Sequence, residues 1–566
     1  MKQIKFNPQQ EEAISHREGP MIVLSVAGSG KTMVLTERVI HLIEQGFDPA
    51  RLLAITFAKK AVLEIQSRLK KRLNGNGDRA LVCTFHSLGY RILKAESSAF
   101  IAFRLVQDGD QLKLFREATQ RVGREEDPAS IMSKVSLAKN DLISPADLEA
   151  SEKKEDNQLA EIYSCYELLK RRQRLFDFDD LLYRPYQLLK SDGDILERYQ
   201  SRFQHILIDE FQDSSRVMVE LVKVLSQPHR NVWLAGDDDQ SIHGFRGARS
   251  DIFVSFGKEC GAGSKTITMS YNYRSTGNII KAANNLISHN NKRVAKKMVT
   301  DNEPGEEVEI LQGDNEIAEA EIIAQKILEL ADAGYRFGEI AILARLYRLM
   351  PLIEGALIKE EIPYNSFRDF FYDRQDMKTA VAAIEYLLRG GPGEALDQEF
   401  LNGIRTDLYA HHEEMNLRAA FEIASTYTMI KQEGIYLDED AKILRRIYLD
   451  ALEYLITPFQ DLEGFMSHIE EARDVNKSSQ RGKVNLMTIH QAKGLEFKCV
   501  IVPGLNEGIL PHVNSIEQMI ANLEEERRLM YVAMTRAMER LTITYRKRQM
   551  GQPITVASRF LKEIES

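Results

Sequence analysis

The stretch Ser25-Val-Ala-Gly-Ser-Gly-Lys-Thr32 constrains the fold of this chain more than any other. It follows an apolar run, Met21-Ile-Val-Leu24, of the length of a short buried strand. It precedes a helical pattern made by Val34, Leu35, Val39, Ile40, Leu42 and Ile43. Strand, glycine-rich loop and helix, in that order, build a phosphate cradle: loop N–H groups converge on an anion and the helix N-terminus adds its dipole. Gly28 and Gly30, spaced by Ser29 and preceded by Ala27, let the backbone approach phosphates with no side chain in the way. Lys31 is expected to reach the β- and γ-phosphates, and the Thr32 hydroxyl to bind Mg²⁺. The first glycine of the usual pattern is replaced by Ser25. The stretch by itself implies a nucleoside triphosphatase and nothing narrower.

The segments that follow alternate. Arg51–Phe57 reads as a second strand, Lys59–Arg72 as a basic helix, and Ala80–Phe85 as a third strand ending in His86-Ser87. Strands alternating with helices predict a parallel, doubly wound sheet whose ligands collect at the carboxyl ends of the strands. Thr56, Phe57, Thr84, Phe85 and His86 fall at such ends. A hydroxyl beside a ring suits a single nucleic-acid strand, the hydroxyl on a phosphate and the ring on a base. Phe57 and Phe85 fit equally well as caps on the core.

The apolar run in His205-Ile-Leu-Ile-Asp-Glu-Phe-Gln-Asp213 ends in two carboxylates. Asp209 is placed to hold the Mg²⁺ shell, and Glu210 to orient and deprotonate an attacking water. The strand Asn231–Ala235 runs into Gly236-Asp-Asp-Asp-Gln-Ser-Ile-His-Gly-Phe-Arg-Gly-Ala248. There the Gln240 amide can sense a γ-phosphate, while His243 and Phe245 carry rings that can face bases. Near the start, Asn7-Pro-Gln-Gln10 offers the Gln10 amide, which matches the adenine N6/N7 edge but serves as readily as a helix cap.

Bulk properties narrow the class. With 566 residues there is chain for about four units of roughly 150 residues. The net charge of −9, from 75 basic and 84 acidic residues, disfavours a non-specific polycation and leaves room for a local basic groove. Cys83, Cys165, Cys260 and Cys499 are isolated, as reduced thiols would be. No apolar run approaches the ~20 residues of a membrane span, and Met1-Lys-Gln-Ile-Lys5 lacks a signal segment, so the expectation is a cytoplasmic protein with no membrane role. Residues 88–175 and 379–478 are helix-rich and break the alternation, as insertions would. Lys170-Arg-Arg-Gln-Arg174 reads as a solvated helix face beside the more informative Phe176-Asp-Phe-Asp-Asp180.

Together these stretches resemble superfamily 1 DNA helicases of the UvrD/Rep/PcrA type. The resemblance rests on Asn7–Gln10, Ala27–Thr32, Thr56-Phe57, Thr84–Ser87, Asp209–Asp213, Gly236–Ala248, Tyr271-Asn-Tyr-Arg-Ser275, Thr488-Ile-His-Gln-Ala-Lys-Gly-Leu-Glu-Phe497 and Tyr531-Val-Ala-Met-Thr-Arg-Ala537, in this order. It implies two RecA-like parallel-sheet motor domains. The first would span 1–87 and 176–262 with an insertion at 88–175. The second would span 263–378 and 479–566 with an insertion at 379–478, shorter than in the best-known relatives. It further implies that the second motor supplies Tyr273 to stack on adenine, Glu496 to hold the ribose, and Arg274 and Arg536 as arginine fingers, with ATP between the motors.

Single-stranded DNA would then be touched by Phe57, His86, Phe178, His243 and Phe245, with His490 linking the nucleotide and strand sites. The implied activity is 3′→5′ movement and unwinding of 3′-tailed duplex. Two rivals remain: a translocase that strips proteins from DNA but unwinds poorly, and a DNA-gated ATPase subunit of a nuclease or defence complex, although no partner motif is visible. His243 and Phe245 stand where relatives usually carry Tyr and Trp, and Ala58-Lys59 replaces the usual Thr-Asn. The chain ends at Ser566, without the long tail of several relatives or room for a fused nuclease.

Overall fold

The computed structural model describes residues 5–73, 75–97, 100, 102–249, 253, 255–256, 264–366, 368–390, 396, 415–430, 439–478, 482–513, 520–548 and 555–565. The chain divides into two compact units, Met1–Tyr273 with Lys292–Val299, and Arg274–Asn291 with Thr300–Ser566.

In the first unit the strands are β1 (Met21–Ser25), β2 (Leu52–Ile55), β3 (Leu81–Cys83), the short pair β4 (Arg104–Leu105) and β5 (Leu175–Phe176), then β6 (His205–Ile208), β7 (Val232–Gly236) and β8 (Lys265–Met269). Six of them form one sheet in the order β3-β2-β6-β7-β1-β8, parallel at every pairing. Successive side chains on a strand face opposite sides. Ile22, Leu24, Ile206 and Ile208 enter one core with Leu88 and Ile92. Met21, Val23, Leu207 and Trp233 enter the other with Val34 and Val39. Helices thus cover both faces, which explains why the strands read as unbroken apolar runs.

Three expectations are corrected here. Lys265–Met269 pairs with β1, so the first sheet extends past residue 262: the open edge of β1 is covered, and Ile267 and Met269 are buried. Tyr273, expected from the second motor, ends the first unit. Phe85-His86-Ser87 does not close a strand. It opens the helix Phe85–Glu96, capped by Thr84, and that helix packs Leu88 and Ile92 on the sheet rather than joining the insertion. The insertion proper builds its own core from residues such as Val106, Phe115, Ile131, Tyr163 and Leu169.

The second unit holds β9 (Glu309–Gly313), β10 (Ile340–Ala344), β11 (Tyr364–Ser366), β12 (Val484–Thr488), β13 (Phe497–Val502) and β14 (Ala537–Arg546). Their order is β11-β12-β10-β13-β14-β9, again all parallel. Among the described residues its insertion helices share the core of the sheet: Ile384, Phe421, Leu449 and Leu452 pack with Ile342 and Leu486. The helix Ile520–Met534 precedes β14, and Arg536 lies between them. Asn74, Cys260, Gly391-Pro392-Gly393 and residues 479–481 lie outside the described residues. Cys83, Cys165 and Cys499 are free thiols. Among the described residues no helix is long and apolar enough to cross a membrane.

Candidate active site

The loop after β1 takes the conformation that its glycines permit. Gly28 and Gly30 have φ of +68° and +79°, and Gly30 caps the helix Lys31–Glu44. At these φ values an L-residue with a β-carbon is strained, which accounts for glycine at both places. Thr32, in the first turn, donates to Asp209 Oδ2 at 2.5 Å. Lys31 Nζ lies 3.8 Å from Glu210 Oε1. The loop and the strand-end carboxylates, 177 residues apart at Thr32 and Asp209, therefore form one hydrogen-bonded set.

Asp209 is almost wholly buried. Burial and the neighbouring Glu210 push its carboxyl up to about 6, against the pull of Lys31 and Thr32. A buried carboxylate with a hydroxyl, a second acid beside it and too little positive charge is the donor set a hard divalent cation satisfies, so Thr32 and Asp209 fit Mg²⁺. Glu210 has a left-handed backbone, φ +55°, at a residue other than glycine. Such strain persists only where surroundings hold it. Gln212, fully buried, does so: its Nε2 donates to Glu210 Oε2 at 2.6 Å, and its Oε1 accepts from Asp237 N at 3.0 Å. Gln240 Nε2 in turn donates to Asp237 Oδ2 at 2.6 Å.

Gln10 is buried beside the loop, its amide donating to the Ser29 carbonyl at 3.0 Å and its Oε1 accepting from Asn7 N in a capping box. Both the adenine-edge and the cap readings of Gln10 thus meet at a residue braced against the phosphate loop. Tyr273 is 52% exposed, stacks on Tyr271, and accepts a hydrogen bond from Asn7 Nδ2 at 2.7 Å. Its backbone N–H donates to Gly28, and Asn272 Nδ2 donates to Ala27. The Tyr273 ring is therefore an available platform on the first unit.

The second unit collects its own group. Arg274 Nε donates to Glu496 Oε2 at 2.8 Å and Arg274 Nη1 to the Thr535 carbonyl at 3.0 Å. Arg536, buried next to Thr535, donates to the carbonyls of Val532 and Leu495. Both expected fingers and the expected ribose ligand are thus neighbours around one turn. His490 also belongs to this unit, in the turn after β12.

The ring-bearing residues of the first unit sort into presented and packed. Phe178 and Phe245 are exposed, His86 meets Phe178 edge-on at 6.2 Å, and His243 meets Phe245 edge-on at 5.9 Å. Arg246 stacks over Phe245 and lies near enough to His86 to lower its pKa, although burial is the larger cause. His86 is therefore a neutral ring near pH 7. Phe85, by contrast, is buried in the core and supports the half-buried Phe57 edge-on at 5.7 Å. The Thr84 hydroxyl accepts from Ser87 N, and Thr56 is buried with its N–H on the Cys83 carbonyl. Thr84 and Phe85 are turned inward by the helix start, and Thr56 is buried at the end of β2, so in this structure all three lie beneath the presented rings.

Sequence reasoning passed over Gln212, although it sits inside the recognised carboxylate stretch, and passed over Arg293 and Lys296, for which a plain polar stretch carried no signal. It also read Lys170 as solvated, whereas Lys170 is fully buried among carboxylates.

Residues 6–261 match the UvrD/REP helicase N-terminal domain, and residues 267–407 and 412–548 match the UvrD-like helicase C-terminal domain. The chain is 31% identical to the DNA helicase II of Haemophilus influenzae, over 99% of this chain and 87% of that protein. It is 31% identical to an ATP-dependent DNA helicase PcrA of Staphylococcus epidermidis and 30% identical to that of Staphylococcus aureus, each over 99% of this chain and 86% of the relative.

Proposed function

The chain belongs to the UvrD/Rep family of helicases, and on that premise we propose that it is an ATP-driven motor moving 3′→5′ on single-stranded DNA and opening 3′-tailed duplex. The observation that carries the catalytic part is the hydrogen-bonded set of Thr32, Asp209, Glu210 and Gln212, ion-paired to Lys31, at a loop with two left-handed glycines.

In this reading Lys31 neutralises the β- and γ-phosphates, and the loop N–H groups hold them. Thr32 and Asp209 would hold Mg²⁺, which when bound supplies neutralising charge to the same phosphate oxygens. Glu210, held by Gln212, orients the attacking water and takes its proton. Gln240 reports the γ-phosphate to the stretch that carries His243 and Phe245. Tyr273 stacks on the base, Glu496 takes the ribose, and Arg274 and Arg536 neutralise charge developing in the transition state. The strand is gripped by the rings of His86, Phe178, His243 and Phe245 over a backbone supported by Thr56, Phe57, Thr84 and Phe85, with His490 linking the two ligands. The setting proposed is the cytoplasm, in DNA repair, replication or recombination.

The test is DNA-stimulated ATP hydrolysis together with blunt, 5′-tailed and 3′-tailed duplexes side by side. Lys31→Ala and Glu210→Gln are expected to lower turnover by about a hundredfold or more, and only the 3′-tailed duplex is expected to open. Near-wild-type turnover in folded variants would refute the site, and a preference for 5′ tails would refute the polarity. One observation favours a second reading, a translocase that displaces proteins but unwinds weakly as a monomer: the insertion helices of the second unit share the core of its sheet and are not a free body. Translocation without opening of the 3′-tailed duplex would support it.

A further inference from the structure

The chain does not pass once from its first unit to its second. It enters the second with Arg274–Asn291, returns to the first with Lys292–Val299, and leaves again at Thr300. The returning segment carries two cations into the turn Asp237-Asp238-Asp239, which follows β7. Lys296, 1% exposed, lies 3.1 Å from Asp237 Oδ1 and 2.8 Å from Asp239 Oδ2, and it also pairs with Asp238. Arg293 holds Asp239 bidentately at 2.7 and 2.6 Å, and the backbone N–H of Val294 donates to Asp238 at 2.7 Å.

Three adjacent buried aspartates resemble a cation site. The Lys296 ammonium already stands in it, paired to an oxygen of each carboxylate, and with Arg293 it offsets most of the charge of the turn from within the chain. Buried carboxylates need such partners, and a bidentate guanidinium adds direction to charge. The turn so fixed has two outputs. Asp237 Oδ2 accepts from Gln240 Nε2, and Asp237 N donates to Gln212 Oε1. Gln212 then holds Glu210 at 2.6 Å. Gly236 is needed for this approach: a β-carbon there would come within 2.6 Å of Gln212 Oε1.

We propose that Lys296 and Arg293 are positioning residues for ATP hydrolysis, fixing the Asp237–Asp239 turn and, through it, Gln240 directly and Glu210 by way of Gln212. The inference rests on the motor reading above, since it assigns these residues to the orientation of the same water-activating carboxylate. It also makes the segment by which the chain revisits its first unit a structural part of the nucleotide site. The cations act on the geometry of Glu210 and Gln240, not on the phosphate loop, so they are expected to govern turnover and leave nucleotide affinity alone.

The experiment uses the full chain and compares wild type with Lys296→Met, Lys296→Arg and Arg293→Lys. The readouts are kcat and KM of DNA-stimulated ATP hydrolysis, and binding of a fluorescent non-hydrolysable ATP analogue. Lys296→Met is expected to lower kcat at least tenfold with KM and analogue affinity within twofold. Lys296→Arg is expected to recover much of the loss. Arg293→Lys, which keeps the charge and breaks the bidentate pair, is expected to lower kcat about threefold to tenfold, and it decides the matter if Lys296→Met does not fold. Wild-type kcat in folded Arg293→Lys and Lys296→Met overturns the proposal, as does a fall in kcat matched by an equal loss of analogue binding. Failure of the motor reading is distinguishable, because the wild-type protein would then show no DNA-stimulated hydrolysis, or Glu210→Gln would hydrolyse normally.

Discussion

Lys139 and Lys170 stand on the helices Pro128–Asn140 and Lys154–Gln173 of the first insertion, and both reach Asp177 and Asp180 at the start of the helix Asp180–Ser191, which packs on the first sheet. Glu167 and Arg184, each 27% exposed, complete the set around the four buried groups, so three cations meet three carboxylates. In the second unit, Leu449 and Leu452 of the insertion helix Glu439–Ile456 sit in one apolar core with the sheet, and the ionisable group at that junction, Glu354 on the helix Met350–Lys359, is buried near Tyr448 and Arg374. One insertion keeps its own core and is tied by directional charge. The other is merged with its sheet by apolar packing. An ionic joint specifies an angle and fails when one partner goes, whereas an apolar joint spreads its loss over many contacts. Phe178 lies between Asp177 and Asp180, so the ionic joint also fixes the backbone beneath an exposed ring of the proposed strand-binding surface.

The contrast breaks most readily at Lys170. Lys170→Met leaves buried carboxylates short of a cation, at a cost of roughly 3–5 kcal/mol. Hydrogen exchange is expected to accelerate across the helices between Pro128 and Gln173 while β10 and β12 stay protected. Unchanged exchange in a folded variant would mean that the joint is not ionic. Leu452→Ala is expected to cost about 2–4 kcal/mol and to loosen insertion helices and sheet strands of the second unit together, since they share a core. Loosening confined to the insertion would show that the core is divided.

Glu354 gives an effect of opposite sign. Burial pushes its carboxyl up to about 7, with Tyr448 and Arg374 only partly offsetting it. The native state therefore keeps a proton that the unfolded chain gives up, and stability falls as pH rises from the ordinary carboxyl value toward 7. Glu354→Gln is expected to stabilise the second unit at pH 8 by on the order of 2–3 kcal/mol and to be neutral near pH 4. A melting series across pH checks this. Asp177 behaves conversely. Burial works against its charge, but Lys139 and Lys170 hold it well below the usual carboxylate range. Its contribution is complete above the unfolded carboxyl value and is lost as pH falls below it. Acid thus loosens the first junction and alkali the second. At the small end, Arg124→Ala removes an ion pair with Glu161 near the surface of the first insertion and is expected to cost less than about 1 kcal/mol.

Much of the catalytic half was legible because its signals are local. Gly28 and Gly30 announce a left-handed turn, and an apolar strand ending in Asp209-Glu210 announces a buried carboxylate pair. The alternation of strands and helices announced parallel sheets, which both units have. The helix start at Phe85 was not legible because a strand running straight into a helix shows the same residues at its end as a strand that stops there. Lys170 misled although its acids, Asp177 and Asp180, lie only 7 and 10 residues away: a basic run on a helix looks solvated until the chain turns back and folds those acids, with Lys139, against that face out of water.

The amino-acid order by itself determined the phosphate loop, the carboxylates that face it, the parallel character of both sheets and the family to which the chain belongs. Each follows from residues close in sequence, where backbone geometry and the strand or helix period act directly. Only the tertiary structure decided that Lys265–Met269 completes the first sheet, that Tyr273 ends the first unit, and that Lys296 fills a turn of aspartates. Those outcomes depend on which distant groups meet out of water, and a buried charge or an open strand edge takes whatever partner the fold brings to it.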